Sequence, residues 1–279
     1  MKKQEIMDKY AIGYIYKQVE EKGYTNVGVY DFTKTFRQNV VNAVGRARYD
    51  RGDGYYVYFE PFVGGANMID KIKCKRRIGC DIQKELIELL KYTQTNLNNI
   101  PDRILEDEYI KVKNNKSDYP SWYVGLVGFC ASFGAKYFGG YARDSRDDNS
   151  GKWSAGAIKN LKKQAPNIQD VKFINDDYLT LNETKLHNCV IYCDPPYEGT
   201  LKYSTGGFEY DVFWQWVRDV SKNNYVFISE YNAPEDFRDI WSKECKTLLD
   251  SNKNTNDIAN TRVEKLFIHN NGLYHKTYL

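Results

Sequence analysis

Short apolar runs that stop at polar or acidic residues recur along the chain, and amphipathic segments lie between them. Runs of this kind, rich in β-branched and aromatic residues, are typical of buried strands. They predict strands at 55–60, 77–81, 171–177, 190–193, 225–229 and 263–269. Apolar residues at helical spacing predict helices at 83–92, at 154–164 with Ser154 as the cap, and from Asp211 onward with Asp211 as the cap. Strands that alternate with helices in this way predict an α/β fold.

Other elements are predicted around this core pattern. Apolar spacing and the position of Pro234 predict further helices at 5–20, 33–47 and 234–241. A glycine-containing segment at 198–208 directly follows the fourth strand, where a lid over an active site would lie. Asn270-Asn271-Gly272 is typical of a hairpin turn.

The segment from about residue 99 to residue 165 interrupts the pattern. Aromatic residues, glycines and basic residues are interleaved in its second half. This composition suits a nucleic-acid surface, and it suits an aromatic mini-core with a solvated basic rim equally well. Lys136, Tyr137, Tyr141 and Arg143 are the candidates for contact with bases or phosphates. The predicted division of the chain is 1–98, 99–165 and 166–279.

The composition adds few constraints. The 279 residues carry a formal net charge of +3, so charge alone does not indicate a nucleic-acid partner. The 6 cysteines form no CxxC pair and there are only 3 histidines, so neither a metal site nor a disulfide framework is predicted. Cys189 and Cys193 are expected to be buried free thiols. A polar start and the lack of a long apolar run predict a cytoplasmic chain without a signal peptide or membrane helix.

The strongest chemical signal is Asp194-Pro195-Pro196-Tyr197. The prolines end the preceding strand, so these groups are presented at the carboxyl edge of a sheet, where open α/β sheets bind ligands. The Asp194 carboxylate and the Pro195 carbonyl can accept both hydrogens of an exocyclic amine, which localises the nitrogen lone pair for attack. They also stabilise the positive charge that develops on the amine. Tyr197 offers a face for a flipped base, worth ~1–3 kcal/mol, and Pro196 stiffens the turn.

A second signal lies earlier in the chain. The first strand runs into a glycine-bearing turn, Pro61-Phe62-Val63-Gly64-Gly65, where the backbone can approach a ligand closely. The next strand ends at Asp81, whose carboxylate can accept hydrogen bonds from both ribose hydroxyls of a nucleoside cofactor. The alternative role of Asp81 is a helix N-cap, and one residue can serve both purposes. A third strand ends at Asp176-Asp177, so all of these groups follow strands.

These motifs, in this order, resemble the alpha group of DNA adenine methyltransferases, the Dam-like family that uses S-adenosylmethionine. The matching residues are Glu60-Pro61-Phe62-Val63-Gly64-Gly65, Asp81, Asp177-Tyr178 and Asp194-Pro195-Pro196-Tyr197, within a resemblance that covers about residues 55–279. The resemblance implies a Rossmann-like mixed sheet with an antiparallel last strand and an inserted target-recognition domain. It also implies S-adenosylmethionine as cofactor and double-stranded DNA as substrate.

The resemblance further implies roles for individual residues. The implied cofactor-binding residues are Glu60, Pro61, Phe62, Gly64, Gly65, Asp81, Asp177, Tyr178 and Asp194. In this scheme Phe62 packs near the cofactor, Asp81 holds its ribose and Asp177 meets its adenine. The implied catalytic residues are Asp194, Pro195, Pro196 and Tyr197.

Two alternatives stay open beside adenine methylation of DNA. The same lone-pair chemistry serves the exocyclic amine of cytosine in DNA, or adenine in RNA. A DNA-binding relative without activity is the other alternative, because the Gly-Lys-bearing motif with which the family usually begins is absent before Tyr55. Residues 45–48 are the nearest basic, glycine-containing stretch. A restriction endonuclease partner is neither indicated nor excluded by these residues.

Overall fold

The computed structural model describes residues 57–72, 76–143, 150–181, 186, 189–197, 207–246 and 261–272. The helices predicted at 5–20 and 33–47 lie outside the described residues, and so does most of the predicted lid at 198–208. The nearest match to the missing family motif, at 45–48, also lies outside them.

Seven strands form one mixed sheet. They are β1 (Val57–Glu60), β2 (Arg76–Asp81), β3 (Val171–Asn175), β4 (Cys189–Cys193), β5 (Tyr225–Glu230), β6 (Phe237–Lys246) and β7 (Thr261–His269). Their order in the sheet is β3-β2-β1-β4-β5-β7-β6. The pairs β2–β3, β1–β4 and β4–β5 are parallel, and β5–β7 and β6–β7 are antiparallel. The α/β class and the mixed sheet with an antiparallel last strand are therefore confirmed.

The main helices are α1 (Lys84–Thr95), α2 (Glu106–Asn114), α3 (Ser121–Gly125), α4 (Lys152–Gln164) and α5 (Tyr210–Val220). A π-helical stretch, Leu126–Cys130, directly continues α3. The chain divides into two compact units. The first comprises 1–61, 72–76 and 179–279, and the second comprises 62–71 and 77–178. The predicted insert at 99–165 lies entirely within the second unit, and its boundaries stay a prediction.

The first unit is organised around strands β4 and β5, which are buried along their whole length. Helix α5 contributes a strongly apolar face to this core, through Phe213, Trp214, Trp216, Val217 and Val220. Parallel neighbours on both sides explain why β4 has no alternating polar residues. The predicted burial of the Cys189 and Cys193 thiols is confirmed.

The second unit contains its own hydrophobic core. Helices α1 to α4 and the π-helical stretch bury a cluster of apolar residues that includes Tyr109, Leu126 and Phe138. A Cβ on Gly125 would lie 2.2 Å from the backbone oxygen of Glu85, so a glycine is required where these segments cross. The aromatic mini-core expected as one interpretation of this segment is thus present.

Three local predictions are wrong. Residues from Phe237 onward form strand β6, not a helix that begins at Pro234, because they pair with β7 over a long antiparallel ladder. Helix α4 begins before Ser154, after Gly151 with φ of 69°, and the Ser154 hydroxyl instead contacts the carbonyls of Ile104 and Gly151. Asp211 lies inside the first turn of α5 and is not its cap.

A turn is present at 270–272, where the Gly272 N–H donates a hydrogen bond to the His269 carbonyl.

Among the described residues, no helix is both long and apolar enough to cross a membrane. The same part of the chain contains no group of three or more His, Cys, Asp or Glu side chains arranged to hold a metal ion.

Candidate active site

Asp81, the last residue of β2, connects the glycine turn to helix α1. One carboxylate oxygen accepts the backbone N–H of Gly64 at 3.0 Å, and the other accepts that of Gln83, directly before α1, at 2.9 Å. Desolvation raises the pKa of the Asp81 carboxyl above its usual value of 3.8, and the two N–H groups oppose this shift. Gln83 is the residue at the N-cap position, so Asp81 is not the cap itself but holds the chain that leads into the helix.

The glycine turn is held against β2. The Val63 N–H donates to the Cys80 carbonyl at 2.8 Å. The side chain of Gln164, at the end of α4, donates to the carbonyls of Gly65 and Ala66 at 3.0 Å each. Gly64 has φ of 47°, a region that favours glycine, and nothing lies within 4 Å of the position where its Cβ would be. The turn therefore presents backbone, rather than side chains, to open space.

Two aromatic residues predicted to bind the cofactor do meet. The rings of Phe62 and Tyr178 have their centroids 5.0 Å apart at 48°. The end of β3, shortly before Tyr178, is hydrogen-bonded to the end of β2. The Asn175 side chain donates to the carbonyls of Asp81 and Ile82 at 3.0 Å each. Asp177 donates its backbone N–H to Asp176 at 2.8 Å. Phe62, Gly64, Asp81, Asp177 and Tyr178 all belong to the second unit, and we call them the cofactor set.

Glu60 and Pro61 end the β1 segment in the first unit. Glu60 is 2% exposed and accepts a hydrogen bond of 2.6 Å from the Tyr58 hydroxyl. A buried carboxylate with this partner is held in place within its own strand.

The residues after β4 form a second set, in the first unit. Asp194 is exposed at the end of the strand, Pro195 is buried, and Pro196 and Tyr197 are half-buried. The Tyr210 hydroxyl, at the start of α5, donates to the Pro196 carbonyl at 3.1 Å. We call Asp194, Pro195, Pro196 and Tyr197 the amine set.

Tyr197 is held at both its hydroxyl and its ring. Its hydroxyl lies 2.8 Å from the Ser229 Oγ, and its ring meets the Tyr231 ring edge-on with centroids 4.6 Å apart. Burial, together with the charge of Asp194 and a hydrogen bond to its carboxylate, raises the pKa of Tyr197 far above its usual value. The phenol therefore stays protonated at neutral pH.

The four candidate DNA-contacting residues differ in how they are engaged. The Tyr141 hydroxyl donates to the Ile104 carbonyl at 3.0 Å, and Arg143 forms an ion pair with Glu106. Burial raises the pKa of Tyr137 to about 12. Lys136 is exposed on the turn between Phe133 and Tyr141.

The two sets offer distinct chemistry. The cofactor set presents a carboxylate, an open glycine turn and two aromatic rings, which suit a nucleoside with ribose hydroxyls and a flat base. The amine set presents two oxygen acceptors and an aromatic face, which suit an exocyclic amine on a nucleobase.

A comparison with protein-family models matches the chain to the D12 class of N6 adenine-specific DNA methyltransferases. The match covers residues 47–126 and 123–215, which is more than half of the chain. The chain belongs to this family. The resemblance to adenine-specific DNA methyltransferases and the Rossmann-like fold are therefore confirmed. A search of curated proteins finds no match.

Family membership bears on the first of the two alternatives, a different base or a different nucleic acid. The D12 class is defined by adenine N6 in DNA, so it favours this amine over cytosine and over RNA. The match begins at residue 47 and includes both the glycine turn and the Asp-Pro-Pro-Tyr motif.

Three residues that adjoin Asp81 or are linked to Tyr197 were not predicted as site residues from the sequence. Ile82, directly after Asp81, is 54% exposed although it is apolar. In the sequence the only signal for it is an apolar residue between a strand-ending acid and a predicted helix. Ser229 and Glu264 connect to Tyr197 only through strand pairing, so no local signal points to them.

Proposed function

We propose that this D12-family enzyme transfers a methyl group from S-adenosylmethionine to N6 of an adenine flipped out of double-stranded DNA. The observation that carries the proposal is the amine set: a carboxylate and a proline carbonyl at the end of a fully buried strand, followed by a tyrosine held at its hydroxyl and its ring. The family gives the base and the nucleic acid. The donor, the flipped state of the base and the residue roles are our inference.

The cofactor set fits S-adenosylmethionine. The Asp81 carboxylate is assigned to the ribose hydroxyls, and Ile82 and the Phe62–Tyr178 pair are assigned to the adenine faces, with Asp177 at its edge. The open backbone at Gly64 suits close approach of the cofactor. When bound, S-adenosylmethionine supplies an electrophilic methyl group on a sulfonium sulfur. Glu60, Pro61 and Gly65, which flank these residues in the chain, stay our further candidates for cofactor contact, as does Asp194.

The amine set prepares the nucleophile. Asp194 and the Pro195 carbonyl accept the two N6 hydrogens, so that the nitrogen lone pair leaves the plane of the ring. The N6 atom would form its new bond to the methyl carbon with that pair as the carbon–sulfur bond breaks and its electrons return to sulfur, which leaves a neutral thioether. N6 would then lose one proton, from the N–H that Asp194 accepts, to solvent. Because positive charge grows on N6 during attack, the two acceptors bind the transition state more strongly than the ground state. Tyr197 stacks on the flipped base.

Lys136, Tyr137, Tyr141 and Arg143 stay our candidates for DNA contact. Lys136 is exposed, which supports a phosphate contact. The internal partners of Tyr141 and Arg143 support a role in shaping the segment that carries Lys136.

The test is incorporation of a labelled methyl group into adenine-containing duplex DNA, followed by digestion to nucleosides. We expect N6-methyladenine from the wild-type chain and from Asp239→Ala, a control at an exposed aspartate of β6. Asp194→Ala is expected to give only background. A product that contains methylcytosine alone would overturn the assignment of the base, and equal incorporation by Asp194→Ala would overturn the assignment of Asp194.

A further inference from the structure

Ser229 on β5 and Glu264 on β7 extend the contacts of Tyr197 into a chain of hydrogen bonds. The Ser229 hydroxyl donates to Glu264 Oε1 at 3.1 Å and lies 2.8 Å from the Tyr197 hydroxyl. The Tyr197 hydroxyl also bonds the Asp194 carboxylate, and Ser229 connects that hydroxyl to Glu264, each hydroxyl having one hydrogen to give. Ser229 pairs with Leu266, which makes Glu264 its diagonal neighbour on the same face of the antiparallel ladder.

This chain of hydrogen bonds passes through a buried residue of the central sheet. Ser229 is fully buried, and β5 is buried at every position. The ring of Tyr197 has a second contact at a different point, the edge-on Tyr231 ring. Two contacts at separate points fix both the position and the tilt of a planar ring. A phenylalanine at 197 would keep the ring contact and lose the hydroxyl contact.

We propose that Ser229 and Glu264 are positioning residues that hold the Tyr197 ring at the angle needed to stack on the flipped adenine. The proposal rests on the function proposed above, in which Tyr197 supplies that stacking face. It gives the Tyr197 hydroxyl a positioning role beside its contact with Asp194. It also assigns a role in the reaction to Glu264, which lies far along the chain from Tyr197 and reaches it through the pairing of β5 with β7.

The test compares variants that each remove or keep one partner in this chain of hydrogen bonds. Tyr197→Phe and Ser229→Ala each break the chain of hydrogen bonds, Glu264→Gln keeps an acceptor oxygen for Ser229, and Glu264→Leu removes it. Ser221→Ala is the matched control, because Ser221 is 2% exposed and its hydroxyl has no hydrogen-bond partner among the described residues. The kcat for methyl transfer, the KM for DNA and the melting temperature are measured for each variant.

We expect kcat to fall about tenfold in Ser229→Ala and at least as far in Tyr197→Phe, which also removes the contact with Asp194. The double variant should lose no more than Tyr197→Phe, because both changes break one chain of hydrogen bonds. Glu264→Gln is expected to retain kcat, and Glu264→Leu to match Ser229→Ala. Equal kcat in Ser229→Ala and Ser221→Ala would overturn the proposal. If Ser229→Ala does not fold, Glu264→Leu decides, because it leaves the contact between Tyr197 and Asp194 in place, and an unchanged kcat there overturns the proposal.

A failure of the proposed function gives a different result. In that case the wild-type chain transfers no methyl group to DNA, whatever the state of Ser229. The melting temperatures of Tyr197→Phe, Ser229→Ala and the double variant would still be non-additive, because the hydrogen bonds exist in the protein without substrate.

Discussion

The two aspartates assigned to the reaction both follow strands, but they are held in different ways. Asp81, in the second unit, has each carboxylate oxygen engaged by a backbone N–H, that of Gly64 at 3.0 Å and that of Gln83 at 2.9 Å. Asp194, in the first unit, is exposed and follows directly on the buried strand β4, with two prolines after it. The Asp81 carboxylate therefore holds two backbone segments together, whereas the Asp194 carboxylate contacts the Tyr197 side chain, three residues further along the same motif.

This difference separates structural from chemical effects. A change at Asp81 removes hydrogen bonds to Gly64 and Gln83, so under the proposed function we expect it to act on the fold and on cofactor binding together. A change at Asp194 alters no backbone hydrogen bond of this kind, so under the proposed function we expect it to act mainly on the reaction.

The largest expected effect is that of Asp194→Asn. The amide keeps the shape of the side chain and one acceptor oxygen, but it loses the charge that stabilises a developing cation. We expect kcat to fall on the order of 10²- to 10³-fold, with an unchanged melting temperature and unchanged affinity for S-adenosylmethionine. Single-turnover methyl transfer, calorimetry and thermal unfolding measure the three quantities. A lower melting temperature would show that Asp194 also supports the fold.

Asp81→Ala is expected to have the next largest effect. It removes acceptors for Gly64 and Gln83 as well as for the ribose, so affinity for S-adenosylmethionine should fall about 100-fold and the melting temperature should fall as well. Asp102→Ala is the control in the same unit, because the Asp102 side chain is highly exposed and pairs with the Lys162 ammonium at the surface. An unchanged melting temperature in Asp81→Ala would show that Asp81 supports the fold no more than Asp194 does.

Gly79→Ala tests whether the glycine turn depends on β2 packing. A Cβ at Gly79 would lie 2.7 Å from Val63 Cγ2 and 3.1 Å from the Phe173 ring, so the turn or the strand must shift. Overpacking of this kind costs about 1–3 kcal/mol. We expect a lower melting temperature and a loss of affinity for S-adenosylmethionine smaller than that of Asp81→Ala. Gly156→Ala, at a helical position with nothing within 4 Å, is the control and should not destabilise the protein.

The motifs were predictable because their signals are local. An apolar run that stops at two prolines identifies the end of β4 from sequence alone, and a glycine turn followed by a strand-ending acid identifies Asp81. The β6 strand was not predictable in this way, because its extended form depends on pairing with β7. Ser229 and Glu264 were missed for the same reason, since their contact follows from the register of two strands that are distant in sequence.

The insert shows a different limit of sequence reasoning. Its aromatic residues fitted both a core and a nucleic-acid surface, and composition could not choose between them. The structure buries Tyr109 and Phe138 in a core and leaves Lys136 exposed, so residues of one segment divide between the interior and the surface. Burial of individual side chains depends on how α1 to α4 pack, which local patterns do not encode.

The smallest expected effect is a pH dependence specific to Asp81. Desolvation raises the pKa of this carboxyl above 3.8, so it takes up a proton at a higher pH than an ordinary aspartate as the solution is acidified. A protonated carboxyl accepts hydrogen bonds from ribose hydroxyls more weakly, and affinity for S-adenosylmethionine should therefore fall by a few-fold as the pH is lowered toward this range. Because the folded-state pKa is raised, the same protonation contributes stability as the pH falls, so the melting temperature should not decline through this group.

Calorimetry from neutral pH downward measures this affinity. The matched variant is Asp81→Asn, which keeps the shape of the side chain but cannot titrate, so it should bind S-adenosylmethionine weakly at every pH. A wild-type pH profile in Asp81→Asn would assign the effect to another group. In that case the charge of Asp81 would contribute nothing to cofactor binding. Its part would be limited to the two hydrogen bonds that hold the glycine turn and the start of α1, and the two aspartates would differ less than proposed.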